Sequence, residues 1–452
     1  MTMTTIRKNS LLAILFACLS LNLFAQTEIL NLDSYLLNQN VPENGLFFTL
    51  DLEKGKSYIL DVEQNGVDVI LYLKNEDGDL LQEVDSPSGQ YGTEQIFYQA
   101  KRDIRLQLEV LPFVEDGPAG DGVIDIRGRT FSKSAFKTWK GEQKKIAKIS
   151  KNTVLTQDIV HFWEAYDSLK QVSTSRDSLR IIQELYIDRA TEGFKQFRAV
   201  RPEMNAVNYL MSLRAFPKFY ASLRDNSFIC LDAEKAIDQV YKGFENAYGD
   251  FKPFKVCFAI GVLSTGGTVT DEYVLIGADI TCSTKNMDLS EFTEAPYDQL
   301  LPHLSYEGNV KQKIKNIVAH ECVHTQQPYL EEEEVSCSLL HACLSEGFCD
   351  FVGEVIVGEQ INAALQTYGD EHEEELWSEF SSDLCNSSLE KWLYNYGYYE
   401  DRPADLGYYI GYRVAKAYYA QAKDKRAALK ELIEFRDAKA ILKASQYEDL
   451  PK

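Results

Sequence analysis

The segment His320-Glu321-Cys322-Val323-His324 sets two imidazoles four residues apart with a carboxylate between them. On a helix this spacing puts both rings on one face, where they can reach a single ion at about 2.0–2.1 Å. Glu321, one residue on from His320, stands beside an open coordination position, where a base must be to take a proton from water. A second segment, Glu346-Gly347-Phe348-Cys349-Asp350, starts 22 residues after His324, far enough for a loop and a returning antiparallel helix. Glu346 then supplies a third metal ligand. Asp350, one turn further, accepts the outer N–H of a ligand imidazole and fixes its tautomer. These residues predict a zinc hydrolase, with His320, His324 and Glu346 on the metal, Glu321 as general base and Asp350 behind the ligands.

A chance HExxH arises in about one chain per hundred of this histidine and glutamate content. The second helix narrows the reading, because Leu339, Leu340, Cys343, Phe348 and Phe351 are apolar and carboxylates among them are costly unless partnered. A purely structural zinc site fits less well, since three ligands leave one position open, and no CxxC pair offers a cysteine site. His341 lies five residues before Glu346, roughly 140° around the helix, so the two do not share an ion. His161, His303 and His372 are read as surface or packing residues, and Glu331 to Glu334 as a solvated acidic loop between the site helices.

The elements that must hold this chemistry are legible around it. Asn309 is a plausible N-cap for the first site helix, Val310, Ile314, Ile317 and Val318 form its buried stripe, and Pro328 ends it. Residues 336–357 form the second. Upstream, residues 256–262 and 273–280 read as strands of a small antiparallel hairpin joined through Gly266 and Gly267, whose edge can hold an extended peptide. Helical spacing predicts helices over 177–197, 203–223 and 232–248, with Pro202 punctuating the first two.

Before residue 130 the period is two. Leu46, Phe48, Leu50 and Leu52 alternate, as do Tyr58, Leu60 and Val62, then Val67, Val69, Leu71 and Leu73, and Leu106, Leu108 and Val110. The pattern predicts a β-sandwich, and Asp77, Asp79 and Asp85 are read as turn-forming carboxylates in preference to calcium ligands.

With 452 residues, 45% hydrophobic and 26% charged, the chain is long enough for several domains. Its net charge of −22 excludes a nucleic-acid partner, which needs a basic stripe. Residues 1–25 have a basic start at Arg7 and Lys8, an apolar run and a small residue at Ala25, the pattern of an export signal. The expected destination is periplasmic or extracellular, and Cys18 offers a lesser alternative, a lipid tether. No segment is long and apolar enough to span a membrane. Eight cysteines remain after the signal, and in an oxidising compartment some should pair. The expected organisation is a signal at 1–25, an all-β sandwich at 26–129 and a mainly helical α+β domain with a small antiparallel sheet at 130–452.

Residues 47–73, with Gly66-Val67-Asp68-Val69 and Glu83-Val84-Asp85-Ser86-Pro87, resemble the bacterial pre-peptidase C-terminal-like domain, which implies an accessory module. The HExxH segment with Glu346 and Asp350 resembles the gluzincin metallopeptidases, whose fold is zincin-like and whose third zinc ligand is the second-helix glutamate. Residues from about 200 to 450 resemble more closely a family of predicted zinc-dependent proteases similar to the gliding-motility lipoprotein B group. This resemblance rests on Ala319-His320-Glu321, Ser345-Glu346-Gly347-Phe348 and Arg402-Pro403-Ala404-Asp405-Leu406-Gly407-Tyr408-Tyr409-Ile410-Gly411-Tyr412. It implies a zinc cofactor, a peptide or protein substrate, and an oxyanion donor beyond the second helix, for which Tyr408, Tyr412 and Arg402 are candidates. Arg402 can alternatively bind a substrate carboxylate. The competing function is a non-catalytic exported binding or machinery component that retains the zinc site.

Overall fold

A computed structural model describes residues 28–33, 35–85, 89–113, 120, 122–294, 297–331, 334–395, 399 and 402–449. The expected export segment with Cys18, the turn residues Ser86 and Pro87, and Glu332 and Glu333 of the acidic loop lie outside them. The chain divides into two compact units, Met1–Lys133 and Ser134–Lys452.

The first unit is a β-sandwich. Its strands are β1 (Glu28–Ile29), β2 (Tyr35–Asn40), β3 (Leu46–Leu52), β4 (Ser57–Asn65), β5 (Val69–Asn75), β6 (Leu80–Val84), β7 (Tyr91–Gln99), β8 (Ile104–Pro112) and β9 (Val123–Phe131). They form a five-stranded sheet, β1-β3-β8-β5-β6, and a four-stranded sheet, β2-β9-β4-β7. The alternating residues meet between them: Leu50, Leu71, Leu108 and Val110 from one sheet share a core with Val62, Ile96, Ile124 and Ile126 from the other. At the β5–β6 turn, Asn75 Oδ1 accepts from the backbone N–H of Asp77 and Asp79 at 3.0 and 2.8 Å, so this acidic stretch closes a turn.

The second unit is mainly helical around a small sheet of β10 (Val154–Leu155), β11 (Lys255–Ala259), β12 (Gly267–Val269) and β13 (Tyr273–Gly277), in the order β10-β11-β13-β12. The two strands do not form the expected antiparallel hairpin. β11 and β13 run parallel, Val256 opposite Val274, while the intervening β12 pairs antiparallel with β13 at the sheet edge. Parallel neighbours need a long crossover, and the supposed hairpin loop supplies it. Its start is pinned by the buried Asp279 carboxylate, which accepts from the N–H of Gly261 at 2.9 Å and of Leu263 at 2.6 Å. Leu263 takes a left-handed φ of 63° there.

Two predicted helices each prove to be two. Residues 177–197 divide into Ser175–Leu185 and Glu192–Val200, because Thr191 caps a new start, its hydroxyl accepting from Phe194 N–H. Residues 203–223 divide into Ala206–Ala215 and Pro217–Ser227, since Pro217 cannot continue a helix but suits its first turn. The helix expected over 232–248 is Glu234–Ala247.

Three further helices carry the site. The first, Val310–His324, is capped by Asn309, whose side chain accepts from Gln312 N–H at 3.0 Å. The second is Ser338–Val357, and the third is Leu406–Gln421. A disulfide joins Cys337, at the foot of the second helix, to Cys385. Cys322, Cys343 and Cys349, nearer the site, are buried and free. Among the described residues no helix is long and apolar enough to cross a membrane.

Candidate metal centre

His320 and His324 project from the same face of the first helix, their ring centroids 5.0 Å apart. Glu346 comes from the packed second helix, and its Oε2 lies 3.4 Å from His320 Nε2 and 3.2 Å from His324 Nε2. Two donors on one tetrahedral ion, each at about 2.0–2.1 Å, are roughly 3.3–3.4 Å apart, so these separations match a shared metal. The outer nitrogens are held as well. His320 Nδ1 meets Asp350 Oδ1 at 2.8 Å, and Asn362 Nδ2 donates to Asp350 Oδ2 at 2.7 Å. His324 Nδ1 meets Gln327 Oε1 at 2.9 Å, and Ser345 Oγ donates to the same oxygen at 2.8 Å.

A second donor group overlaps this one: a ring nitrogen from each histidine and Cys349 Sγ lie within 4.8 Å of one another. We favour the carboxylate set. Burial pushes the Cys349 thiol well above its ordinary pKa, and its sulfur already receives Gln327 Nε2 at 3.5 Å. Glu346 is the reverse case, because burial alone would raise its carboxyl but the two imidazoles hold it well below the usual range.

The electrostatics also suit a cation. Burial disfavours a charged His320, yet the hydrogen bonds to Asp350 and Glu346 outweigh it and raise its pKa well above normal. Three carboxylates, Glu321, Glu346 and Asp350, face two imidazoles, and the same excess of negative charge that would protonate the histidines favours a divalent ion there. The donor set therefore fits zinc.

Glu321 is buried, and burial raises its carboxyl, with His320, His324 and Arg201 pulling it back down. Its carboxylate rests against edge strand β12. A Cβ on Gly267 would come 2.4 Å from Glu321 Oε1, so glycine leaves this carboxylate its place.

The expected donors separate. Tyr408 stacks 6.0 Å from the His320 ring, and its phenol, raised well above the ordinary value by burial and by Glu346, stays protonated. Tyr412 and Arg402 do not join the cluster. Tyr412, one turn past Tyr408, donates to Glu354 Oε2 at 2.7 Å, two turns beyond Glu346 on the second helix. Arg402 lies 3.9 Å over the Tyr399 ring and pairs with Glu379 at 2.9 Å, so its guanidinium is directed to these groups. Order along the chain did not reveal which way these side chains face.

Four residues at the centre escaped the sequence reading. Tyr394 donates to Glu346 Oε1 at 2.7 Å from an exposed position with a left-handed φ of 57°. Gln327 and Asn362 support the ligands and their partners from loop positions. Arg201 adds to the two imidazoles a further positive charge acting on Glu321, and its buried Nε has no hydrogen-bond partner. None has a periodic signal. Gln327, three residues past His324, offered the only spacing cue.

Two histidines and a glutamate on paired helices, with a buried carboxylate beside them, make a donor group that could hold a metal ion. Consistent with it, residues 294–443, which include both ligand-bearing helices, match the model of a family described as predicted Zn-dependent protease (DUF2268). No curated protein matches the chain. Among solved structures the chain is similar to the pre-peptidase C-terminal domain of a collagenase from Bacillus anthracis, at 13% identity and a TM-score of 0.20, covering 23% of this chain and 95% of that one.

Proposed function

We propose that the chain is an exported zinc peptidase of the gluzincin type that hydrolyses peptide bonds in peptide or protein substrates. The observation that carries this reading is Glu346 Oε2 at 3.4 and 3.2 Å from the two histidine nitrogens. When bound, zinc supplies a Lewis acid that polarises the peptide carbonyl and draws the pKa of a water toward neutrality. Glu321 takes the proton of the attacking water and delivers it to the leaving amine. Asp350 fixes the His320 tautomer by accepting at Nδ1, which directs Nε2 inward. Tyr408, kept protonated, donates to the carbonyl oxygen as negative charge builds on it, and Tyr394, whose hydroxyl donates to Glu346 Oε1, is a second phenol at the site. Among the described residues β12 is an edge strand, which offers an extended peptide a backbone to lie along.

The test compares protein stripped by a chelator with protein given stoichiometric zinc, each incubated with a peptide library. Zinc-restored cleavage is expected, and Glu321→Gln should keep its zinc while losing about 10²–10⁴-fold in kcat/KM. Full activity in zinc-loaded Glu321→Gln would sink the assignment. No cleavage by the zinc-loaded wild type would favour a binding role, with the sandwich as the working surface.

A further inference from the structure

Cys230 and Cys282 are both fully buried in the helical unit, and their sulfurs are 3.1 Å apart. A disulfide bond is about 2.05 Å, so closing it takes a shift of roughly 1 Å. The two segments are already joined, since the side chain of Asn226, four residues before Cys230, donates through Nδ2 to the Cys282 carbonyl at 3.0 Å. Among the described residues no third histidine, cysteine or carboxylate completes a metal-binding group with these two thiols. Burial pushes the Cys230 thiol well above its ordinary pKa, which leaves it inert as a nucleophile.

We propose that Cys230 and Cys282 are a second structural disulfide of the mature protein, beside Cys337–Cys385; the inference rests on the export reading, which supplies an oxidising compartment. In its formation each thiol loses its proton, and the two electrons pass to the disulfide of an exported thiol–disulfide oxidoreductase or a small-molecule disulfide, which departs as two thiols. Both sulfurs are sealed from solvent, so the bond forms before the core closes over them.

The two cysteines bracket the substrate-side sheet. Cys230 lies in the turn Phe228–Asp232, Cys282 directly follows the short helix Ala278–Thr281, and β11, β12 and β13 all fall between them. That short helix holds the β12 crossover, through Asp279 to Gly261 and Leu263 and through Thr281 Oγ1 to the Gly266 carbonyl at 2.9 Å. Lys313 Nζ ties it in turn to the first site helix, donating to the Ile280 carbonyl at 2.7 Å. The bridge thus braces the path that sets Gly267 against Glu321, and closing a loop this long removes entropy from the unfolded chain.

The experiment refolds the full, reduced chain in a thiol–disulfide redox buffer, alkylates free thiols under denaturing conditions, and maps peptides without reduction. The expected result is a Cys230 peptide joined to a Cys282 peptide, lighter by two hydrogens than the separate pair. In the Cys337→Ser, Cys385→Ser double variant, reductant should still lower the melting temperature by several degrees, and the further change Cys230→Ala with Cys282→Ala should abolish that response. Alkylated Cys230 and Cys282 in folded protein would overturn the proposal, whether or not Cys337 and Cys385 have paired. None of these readouts involves peptidase activity, so failure of the bridge and failure of the catalytic reading are separable.

Discussion

Gly347 and Gly411 meet backbone to backbone where the second and third site helices cross. A Cβ on Gly347 would fall 2.2 Å from the Tyr412 nitrogen, and one on Gly411 would fall 2.0 Å from the Cys343 carbonyl oxygen. Only hydrogen fits in that space. The close crossing brings Tyr408 over His320 and sends Tyr412 to Glu354.

The two tyrosines should therefore respond differently to loss of their hydroxyls. Tyr408→Phe is expected to lower kcat by about 10²–10³, as for loss of one oxyanion donor. Tyr412→Phe should leave kcat unchanged and lower stability by about 1 kcal/mol, because Glu354 loses its donor. Steady-state kinetics and thermal melts on both variants check this, and equal losses of kcat would refute it.

Gln327→Ala and Asn362→Ala remove the groups that orient His324 and Asp350. Each should weaken zinc binding by roughly 10–100-fold, read by competition with a chromogenic chelator. Cys349→Ser should keep the affinity of the parent. If instead it lost as much as Glu346→Gln, the thiol would have to be counted among the ligands.

Arg201 is one of the cations that pull the Glu321 carboxyl down against burial. Removing its charge in Arg201→Gln raises that carboxyl further, so a higher pH is needed to obtain the ionised base. The acid limb of kcat/KM should move to higher pH. A pH–rate profile that stays in place would show that Arg201 does not act on the base.

Asp279 gives a pH signature of the fold itself. Burial raises its carboxyl to about 6 in the folded chain, against 3.8 unfolded. Between those values the folded state holds more protons, so this group's contribution to stability falls as pH rises through that window and is constant above it. The stability advantage of wild type over Asp279→Asn should be greater at pH 5 than at pH 7 by about 1 kcal/mol. Denaturant melts at the two pH values decide it, and a gap that widened toward neutral pH would be the wrong sign.

What could be read from sequence followed from period and capping. Leu50, Leu71 and Leu108 alternate because one face of each strand is buried, and Asn309 announces the helix that carries His320. The direction of β13 could not be read, because a short apolar run such as Tyr273–Gly277 looks the same in parallel and antiparallel sheets. The Thr191 and Pro217 breaks were written in the chain, but the apolar spacing ran through them. Tyr394, Gln327 and Asn362 lie where no helical or strand period applies, and the placement of Arg402 could not be read because its acid, Glu379, comes from a separate helix.

The two imidazoles, finally, are not equivalent donors. His320 is backed by a carboxylate and its side chain is 9% exposed, whereas His324 is backed by the neutral amide of Gln327 and is 19% exposed. An anion behind the ring makes a nitrogen the more basic ligand. On the proposed reading His320 is the anchor and His324 the hinge of metal exchange, so an incoming chelator competes first for the coordination site that Gln327 supports.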